Sequence, residues 1–455
     1  MKKLIRIMAA AISAVCLFSA VGCGAKTQKN ENELSLFVRN NITEIRTANL
    51  MTNAFKEKKQ SEGKEITIEI KTVSDDYNRD MLNAIQSGEL PDVIYVADEN
   101  LENWAMKGMF ENLDPYFTDA NFDFTKYDEA AFEISKCTGK TGEKHLYMVP
   151  RTYDQPIIAI NVEMWNELMD SVPVPTADES WTWSKLMHIF GQLRTAMDAK
   201  YGSASSTYYP FDVNIGWQPF YNPFIRSFGG YVYNADNASV GMSSQGTRNA
   251  ITKLKSMIDQ KFITPLSSGS SFTSKKAAMW FISRPSVTNE WVERGTDNVA
   301  FLPIPIYDSE FTGLTNGTSY YAYGSVGFAM NSGAQNKSLA YDFLEFTLSE
   351  EGQEIWAKSG LSVPTLISMQ SDANAEWKKH PEFVQNIDQS AFTFLDYKKD
   401  FYTRIPATYA RTGDTNKTYE TSFYNEVKAV FATLKSKSVD AFISDAQTQL
   451  MTFIG

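Results

Sequence analysis

Polar residues that could bind a small molecule follow three apolar segments near the start of the chain. The segments 34–38, 66–70 and 91–96 have the apolar or alternating pattern of β-strands. Helical patterns of apolar residues separate them, and this order favours a doubly wound α/β sheet. Because ligands of such sheets bind beyond the carboxyl ends of the strands, we expect a binding site among the residues at those ends, namely 39–41, 71–76 and 97–100.

Short motifs typical of catalytic sites are absent from the sequence. It contains no G-x-S-x-G, no H-E-x-x-H, no glycine-rich nucleotide-binding motif and no EF-hand loop. Residues 139–141 resemble the end of a phosphate-binding loop, but Ile134 occupies the position of its first glycine. Three scattered histidines predict no metal site and no cofactor. The 54 acidic residues leave a glycoside hydrolase with paired carboxylates as an alternative, but the pattern favours binding over catalysis.

The composition limits the class of protein further. A length of 455 residues predicts two or three domains. The net charge of −11 and the lack of a Lys/Arg cluster argue against binding to nucleic acid. Aromatic residues make up 13% of the chain, which suits either a large core or an aromatic binding surface.

The first residues have the pattern of a secretory signal. Lys2, Lys3 and Arg6 precede an uncharged, mostly apolar stretch at 7–21, which is shorter than a comfortable membrane span. Small residues then lead into Cys23, and this arrangement resembles a lipobox, in which the chain is cut before a cysteine that carries the lipid. We therefore predict a signal peptide at 1–22 and a lipidated Cys23 with a polar tether at 23–33; an ordinary cleaved signal with an incidental cysteine is the alternative.

A second group of elements follows the first sheet. The sequence predicts strands, helix starts and helices in an order that again alternates between β and α. Tryptophans 104, 181, 183 and 356 lie in helix-start or amphipathic contexts and are assigned to packing. The predicted elements are strands at 157–161, 299–305 and 325–330, a helix start at 181–184, and helices around 340–348, 427–434 and 439–450.

Short segments in a fixed order extend over nearly the whole chain after the signal. They are the lipobox at Cys23 and the segments 90–96, 104–108, 113–117, 147–150, 160–161, 175–183, 228–230, 276–279, 303–305, 327–330, 340–344, 351–353 and 439–450. In this order they resemble the extracellular solute-binding proteins of family 1, the sugar-binding lipoproteins of ABC importers, a family that includes maltose-binding protein.

The resemblance implies an α/β, two-lobe periplasmic-binding-protein-like fold with a hinge, each lobe a doubly wound sheet flanked by helices. Mapped onto this chain, residues 34–149 plus 299–358 form the first lobe and residues 150–298 plus 359–455 the second. It implies a monomeric, non-enzymatic receptor, lipid-anchored at the extracytoplasmic face of the cell membrane, that delivers a sugar or oligosaccharide to the permease of an ABC transporter. A receptor for a peptide or another polar solute and a sugar sensor are the alternatives of the same fold.

The resemblance also implies which residues bind the ligand. Sugars need flat aromatic rings for their C–H faces and polar side chains for their hydroxyls. Asp98 matches an acidic position that accepts hydroxyl hydrogens in relatives, and Arg151 offers several donors. The predicted ligand-binding residues are Asn40, Asp98, Arg151, Tyr153, Trp217, Tyr221, Trp280, Tyr320, Tyr321 and Tyr424.

Overall fold

The computed structural model describes most of the chain after residue 30. The predicted signal peptide, Cys23, the predicted tether up to residue 30 and Tyr153 lie outside the described residues. The described ranges are 31–74, 76–152, 155–170, 172–176, 181–234, 239–264, 270–284, 299–372, 374–379, 390–393 and 419–452.

Strands and helices alternate along the described chain. The strands are β1 (Glu33–Arg39), β2 (Thr67–Val73), β3 (Val93–Ala97), β4 (Lys136–Thr138), β5 (Lys144–Leu146), β6 (Val149–Pro150), β7 (Ile157–Asn161), β8 (Tyr209–Asp212), β9 (Tyr233–Asn234), β10 (Ser239–Val240), β11 (Ile263–Thr264), β12 (Ala277–Ile282), β13 (Val299–Pro303) and β14 (Val326–Met330). The helices are α1 (Ile42–Ser61), α2 (Tyr77–Ser87), α3 (Asp98–Met106), α4 (Asp114–Asp119), α5 (Glu129–Ile134), α6 (Val162–Met169), α7 (Trp183–Tyr201), α8 (Gln218–Ser227), α9 (Gln245–Asp259), α10 (Ser270–Thr273), α11 (Ser309–Thr312), α12 (Lys337–Leu348), α13 (Glu350–Lys358), α14 (Ile367–Ser371), α15 (Tyr419–Ala432) and α16 (Val439–Met451). In this part of the chain, no helix has the length and apolar character needed to span a membrane.

The first lobe is built on a five-stranded sheet with the order β2-β1-β3-β14-β6. Strand β1 runs parallel to β2 and β3, whereas β14 is antiparallel to β3 and β6. Helices α1 and α2 connect the three parallel strands, so the carboxyl ends of β1, β2 and β3 meet at one edge of the sheet. This edge is where the sequence predicted a binding site.

Helix α1 begins directly after β1 because Asn41 caps it. The side-chain oxygen of Asn41 accepts hydrogen bonds from the backbone N–H groups of Thr43 and Glu44, at 2.9 and 3.3 Å. The buried face of the helix carries Phe55, whose ring contacts Phe343 of α12 at 5.3 Å between ring centroids. The cap fixes the helix start beside the strand end, and the ring contact packs the later turns of α1 against α12.

The second lobe is built on a five-stranded sheet with the order β11-β8-β12-β7-β13. Strand β8 is parallel to β11 and β12, whereas β7 is antiparallel to β12 and β13. Every residue of β7 and β12 is buried, and apart from Asn161 at the end of β7 both strands are continuous apolar runs.

Two parts of the predicted lobe division differ from the structure. We assigned residues 299–305 to the first lobe, but β13 pairs along its length with β7 in the second sheet, so the chain returns to the first lobe only after Pro303. We assigned residues after 358 to the second lobe, but Leu361, Val363 and Trp377 are buried in a hydrophobic cluster that includes the first sheet as well as residues of β7, β12 and β13. Apolar residues form either contact equally well, so the sequence did not reveal which sheet they join.

Thr152 joins two connections between the lobes to the segment that follows α13. Its hydroxyl donates to the carbonyl oxygen of Val363 at 3.2 Å and accepts from the Val363 backbone N–H at 2.9 Å. The hydroxyl of Ser325 donates to the Thr152 carbonyl oxygen at 2.8 Å. All three residues are buried, so these backbone segments lie side by side where the lobes meet.

The prediction for four tryptophans is confirmed. Trp104, Trp181, Trp183 and Trp356 are at most 1% exposed. Trp181 donates its indole N–H to the carbonyl oxygen of Pro303 at 2.7 Å, so a buried polar atom is satisfied.

Candidate functional site

A cavity of about 350 Å³ lies between the two lobes, at the carboxyl ends of β1, β2 and β3. Four of the residues that line it come from the second lobe or the connection leading to it, and the others come from the first lobe. The lining residues are Arg39, Ser74, Tyr77, Tyr95, Ala97, Asp98, Glu99, Asn100, Gly324, Ser325 and Val326, and on the opposite side Pro156, Trp217, Pro219 and Ser283.

Helix α3 presents the acidic side of the cavity. It begins at Asp98 immediately after β3, and the Asp98 backbone N–H donates to the carbonyl oxygen of Ser325 at 3.0 Å. This bond fixes the start of the helix to the chain that leads into β14. Asp98, Glu99 and Asn100 all line the cavity from the first turn, where the helix dipole favours negative charge.

Glu99 is an acid of the cavity whose pKa is shifted. Its side chain makes no hydrogen bond with any residue that the structure describes, and it remains in contact with the solvent of the open cavity. Reduced hydration among the surrounding protein atoms raises the pKa of Glu99 to about 7, repulsion from Asp98 acts in the same direction, and Arg39 opposes the shift. Glu99 therefore changes charge near neutral pH.

Aromatic residues line the cavity from both lobes. Tyr77 and Tyr95 belong to the first lobe, and burial raises the pKa of Tyr95 to about 12 and that of Tyr77 well above its ordinary value. Both phenols are therefore neutral at pH 7. The buried Tyr77 hydroxyl has no hydrogen-bond partner among the described residues.

Trp217 is the aromatic contribution of the second lobe. It lies directly before α8, and its backbone N–H donates to the carbonyl oxygen of Asn214 at 3.0 Å. Its ring meets the edge of Phe281 on β12, with 5.7 Å between centroids and 81° between planes. The ring is partly exposed, which leaves surface for a ligand.

Two of the predicted site residues, Asp98 and Trp217, line the cavity, one from each lobe. Asn40 is exposed beside the lining residue Arg39, and its backbone N–H donates to the Val73 carbonyl oxygen at 2.7 Å. Asn40 is thus at the expected edge of the sheet but outside the lining.

Arg151 is placed in the first lobe, away from the cavity lining. It is 3% exposed and forms a two-pronged ion pair with Glu44, at 2.7 and 3.1 Å. Its guanidinium lies 4.1 Å from the ring centroid of Trp356 and 5.7 Å from that of Tyr95. The donors that we expected to face a ligand are therefore directed to Glu44.

Four of the other predicted aromatic residues, all described, do not line the cavity either. Tyr221 and Trp280 are at most 2% exposed and contact Phe431 and Phe272, respectively. Tyr320 contacts Arg226, and Tyr321 contacts Tyr307. Tyr424 belongs to α15, but its side chain lies outside the described residues, as does Tyr153.

Several lining residues were missed as individual candidates. Arg39, Ser74, Glu99 and Asn100 fall within the strand-end ranges named from the sequence, so the strand-end rule was the signal for them. Tyr77 and Ser283 carried no such signal, because they become neighbours of the cavity only through the packing of the lobes.

A larger groove of about 910 Å³ lies on the first lobe, among α4, α5 and α14. Phe117, Phe122, Phe124, Tyr127 and Phe132 line it. It lies away from the strand ends and receives no residue from the second lobe, so we place the functional site in the smaller interlobe cavity. No group of metal-ligating side chains occurs among the residues described.

Three solved structures share this fold over nearly their whole lengths. The ABC substrate-binding protein Lmo0181 from Listeria monocytogenes, in complex with cycloalternan, is 14% identical with a TM-score of 0.69, and the match covers 92% of this chain and 97% of that one. The GacH receptor of Streptomyces glaucescens, studied unliganded and with acarbose, is 16% identical with a TM-score of 0.67, covering 94% and 99%. UgpB from Mycobacterium tuberculosis, in complex with glycerophosphocholine, is 15% identical with a TM-score of 0.71, covering 92% and 98%.

These similarities confirm the predicted two-lobe α/β fold. The family described as bacterial extracellular solute-binding protein matches residues 44–354, which is more than half of the chain. That range includes every lining residue of the interlobe cavity except Arg39. This chain therefore belongs to the bacterial extracellular solute-binding proteins, and its extracytoplasmic location follows from that family.

Proposed function

We propose that this protein captures a sugar or oligosaccharide in the interlobe cavity and delivers it to the permease of an ABC importer. The observation that carries the proposal is the position of Trp217 on one lobe and of Asp98 and Asn100 on the other, all lining one cavity. An aromatic ring can pack against the C–H face of a sugar, and carboxylate and amide groups can bind its hydroxyls. The similar structures of Lmo0181 and GacH, which hold cycloalternan and acarbose, support a carbohydrate ligand.

Binding to both lobes would couple capture to closure of the hinge. A ligand that contacts Trp217 and Asp98 together stabilises the arrangement in which the lobes are close, because an open arrangement offers it only one set of contacts. A closed, loaded receptor is then distinguishable from the empty one by the permease.

The direct test is calorimetric titration of the protein from residue 24 onward with neutral, amino and acidic oligosaccharides, together with glycerophosphocholine and short peptides. We expect saturable heat with at least one saccharide, and reduced affinity in Trp217→Ala. Phe124→Ala, which removes an exposed ring of the first lobe outside the cavity, is the matched control and should bind as the wild type does. Binding of glycerophosphocholine or a peptide with no saccharide binding would replace the sugar by another polar solute.

The receptor role includes the absence of catalysis. We expect no new reducing ends when the purified protein is incubated with the saccharide that it binds. Turnover at a stoichiometry above one would instead identify a glycoside hydrolase.

We also propose that Cys23 carries a lipid that anchors the protein at the extracytoplasmic face of the cell membrane. The first described residue, Glu31, accepts a hydrogen bond from Asn336 of the first lobe. Residues 24–30 would span up to roughly 25 Å between lipid and lobe, at ~3.4 Å per residue. Cys23→Ala should move the protein from the membrane fraction to the medium, whereas Cys137→Ala, which changes a buried cysteine of β4, should leave it in the membrane fraction.

A further inference from the structure

The described lining of the interlobe cavity has more acidic than basic side chains. Asp98 and Glu99 line it from consecutive positions of α3, and among the described lining residues Arg39 is the only cation. The Glu99 carboxylate makes no hydrogen bond with any described residue. The cavity therefore holds an acidic group that the described protein does not satisfy.

A neutral sugar does not account for this second acid. One carboxylate can already accept hydrogen bonds from two sugar hydroxyls, and two adjacent carboxylates repel each other when both are ionised. A positive charge on the ligand removes that repulsion and supplies charge-assisted hydrogen bonds to both groups. An anionic solute would add a third negative charge to the same side.

The aromatic lining suits the same kind of ligand. The face of the partly exposed Trp217 ring carries negative quadrupole charge, which attracts an ammonium group as well as the polarised C–H bonds of a sugar ring. The amide of Asn100, a half-buried residue of the lining, is a neutral group for a sugar hydroxyl. The cavity thus combines amide, aromatic and anionic chemistry.

We propose that the preferred ligand is a saccharide bearing a protonated amino group, with the ammonium at Asp98 and Glu99 and a sugar ring against Trp217. This inference rests on the proposed function. Glu99 is then the residue that determines specificity for the amine, whereas Asp98 also serves neutral sugars.

The test compares two disaccharides of the same linkage by calorimetry at pH 7.0: the β-1,4-linked dimer of glucosamine, and cellobiose, in which hydroxyls replace the amines. We expect the amino disaccharide to bind at least about 10-fold more tightly, as a charge-assisted hydrogen bond allows. Glu99→Gln should bring the two affinities within about threefold. Glu310→Gln, which changes an exposed acid in the first turn of α11, should preserve the wild-type preference.

The salt dependence and the binding of neutral saccharides distinguish a failure of this inference from a failure of the proposed function. Raising NaCl should weaken wild-type binding of the amino disaccharide and leave that of cellobiose nearly constant, and this measurement needs no variant. Equal or tighter binding of cellobiose would overturn the inference and leave the sugar-receptor function standing. If no saccharide of any length binds, the proposed function fails and the inference fails with it.

Discussion

Arg151 has a structural role that its position in the sequence does not reveal. It follows the end of β6, where a cleft-facing donor was predicted, but its side chain pairs with Glu44 at the start of α1, and both side chains are at most 5% exposed. The sequence separates the two residues by 107 positions. No local pattern could have identified this partner.

We expect Arg151→Ala to destabilise the protein by about 3–5 kcal/mol, because the carboxylate of Glu44 would remain buried without its counter-charge. The measurement is the free energy of unfolding from urea titration. The double variant Arg151→Met, Glu44→Leu removes both charges, and its free energy of unfolding should fall much less. A loss below about 1 kcal/mol in Arg151→Ala would contradict the structural role.

Glu99 should make stability depend on pH in the range where its charge changes. Its pKa in the folded protein is raised to about 7 from an ordinary value of 4.5, so between these values the folded state binds more protons than the unfolded state. The contribution of Glu99 to stability therefore falls as pH rises from about 4.5 to 7 and is constant above that range.

Glu99→Gln removes this contribution. Relative to Glu99→Gln, the wild-type protein should lose thermal stability between pH 5 and pH 8, measured as the difference in Tm at each pH. Glu310→Gln is the control for changing one exposed acid. A wild-type-to-variant difference that does not vary with pH would exclude Glu99 as the cause.

At the scale of elements, strands could be predicted but their partners could not. The apolar segments 34–38, 91–96 and 157–161 correspond to β1, β3 and β7 within two residues. Strand β13 was also recognised, but the sequence does not encode pairing with β7 as a local signal, because a buried strand between helices has the same composition in either sheet. The parallel order of β2, β1 and β3 was enough to predict where the cavity lies.

Thr152 offers a test of the contacts between the lobe connections. Thr152→Val keeps the side-chain shape but leaves the buried backbone groups of Val363 without their hydroxyl partner. We expect a loss of about 1–3 kcal/mol in the free energy of unfolding. Thr152→Ser retains the hydroxyl and should lose less; equal losses in the two variants would show that the methyl group matters and the hydrogen bonds do not.

At the scale of the whole molecule, the site exists only because two lobes meet. Met106, at the end of α3 in the first lobe, packs against the hydrophobic core of the second, so the lobes also touch beside the cavity. Sequence reasoning found one ligand-facing candidate on each lobe, Asp98 and Trp217, because one ends a strand and the other lies in a segment that resembles the family's aromatic contact. The remaining lining depends on how the lobes pack, which no segment encodes alone.

Trp217 should therefore affect both the affinity for the ligand and the closure of the two lobes around it. The first lobe supplies the acids, and Trp217 is the large ring that the second lobe contributes to the described lining. A ligand bound in Trp217→Ala keeps its contacts to α3 and loses the contact that favours approach of the second lobe. We expect a loss of about 1–2 kcal/mol in binding free energy.

The difference in shape is measured by small-angle X-ray scattering with and without a saturating concentration of the saccharide identified by calorimetry. In the wild type, ligand should decrease the radius of gyration, because only a solute that binds the closed arrangement better can shift the population towards it. In Trp217→Ala the decrease should be smaller even when the site is saturated, whereas Phe124→Ala should behave as the wild type does. If Trp217→Ala binds weakly but compacts fully at saturation, the ring contributes affinity alone, and the contacts that drive closure must come from other residues of the second lobe.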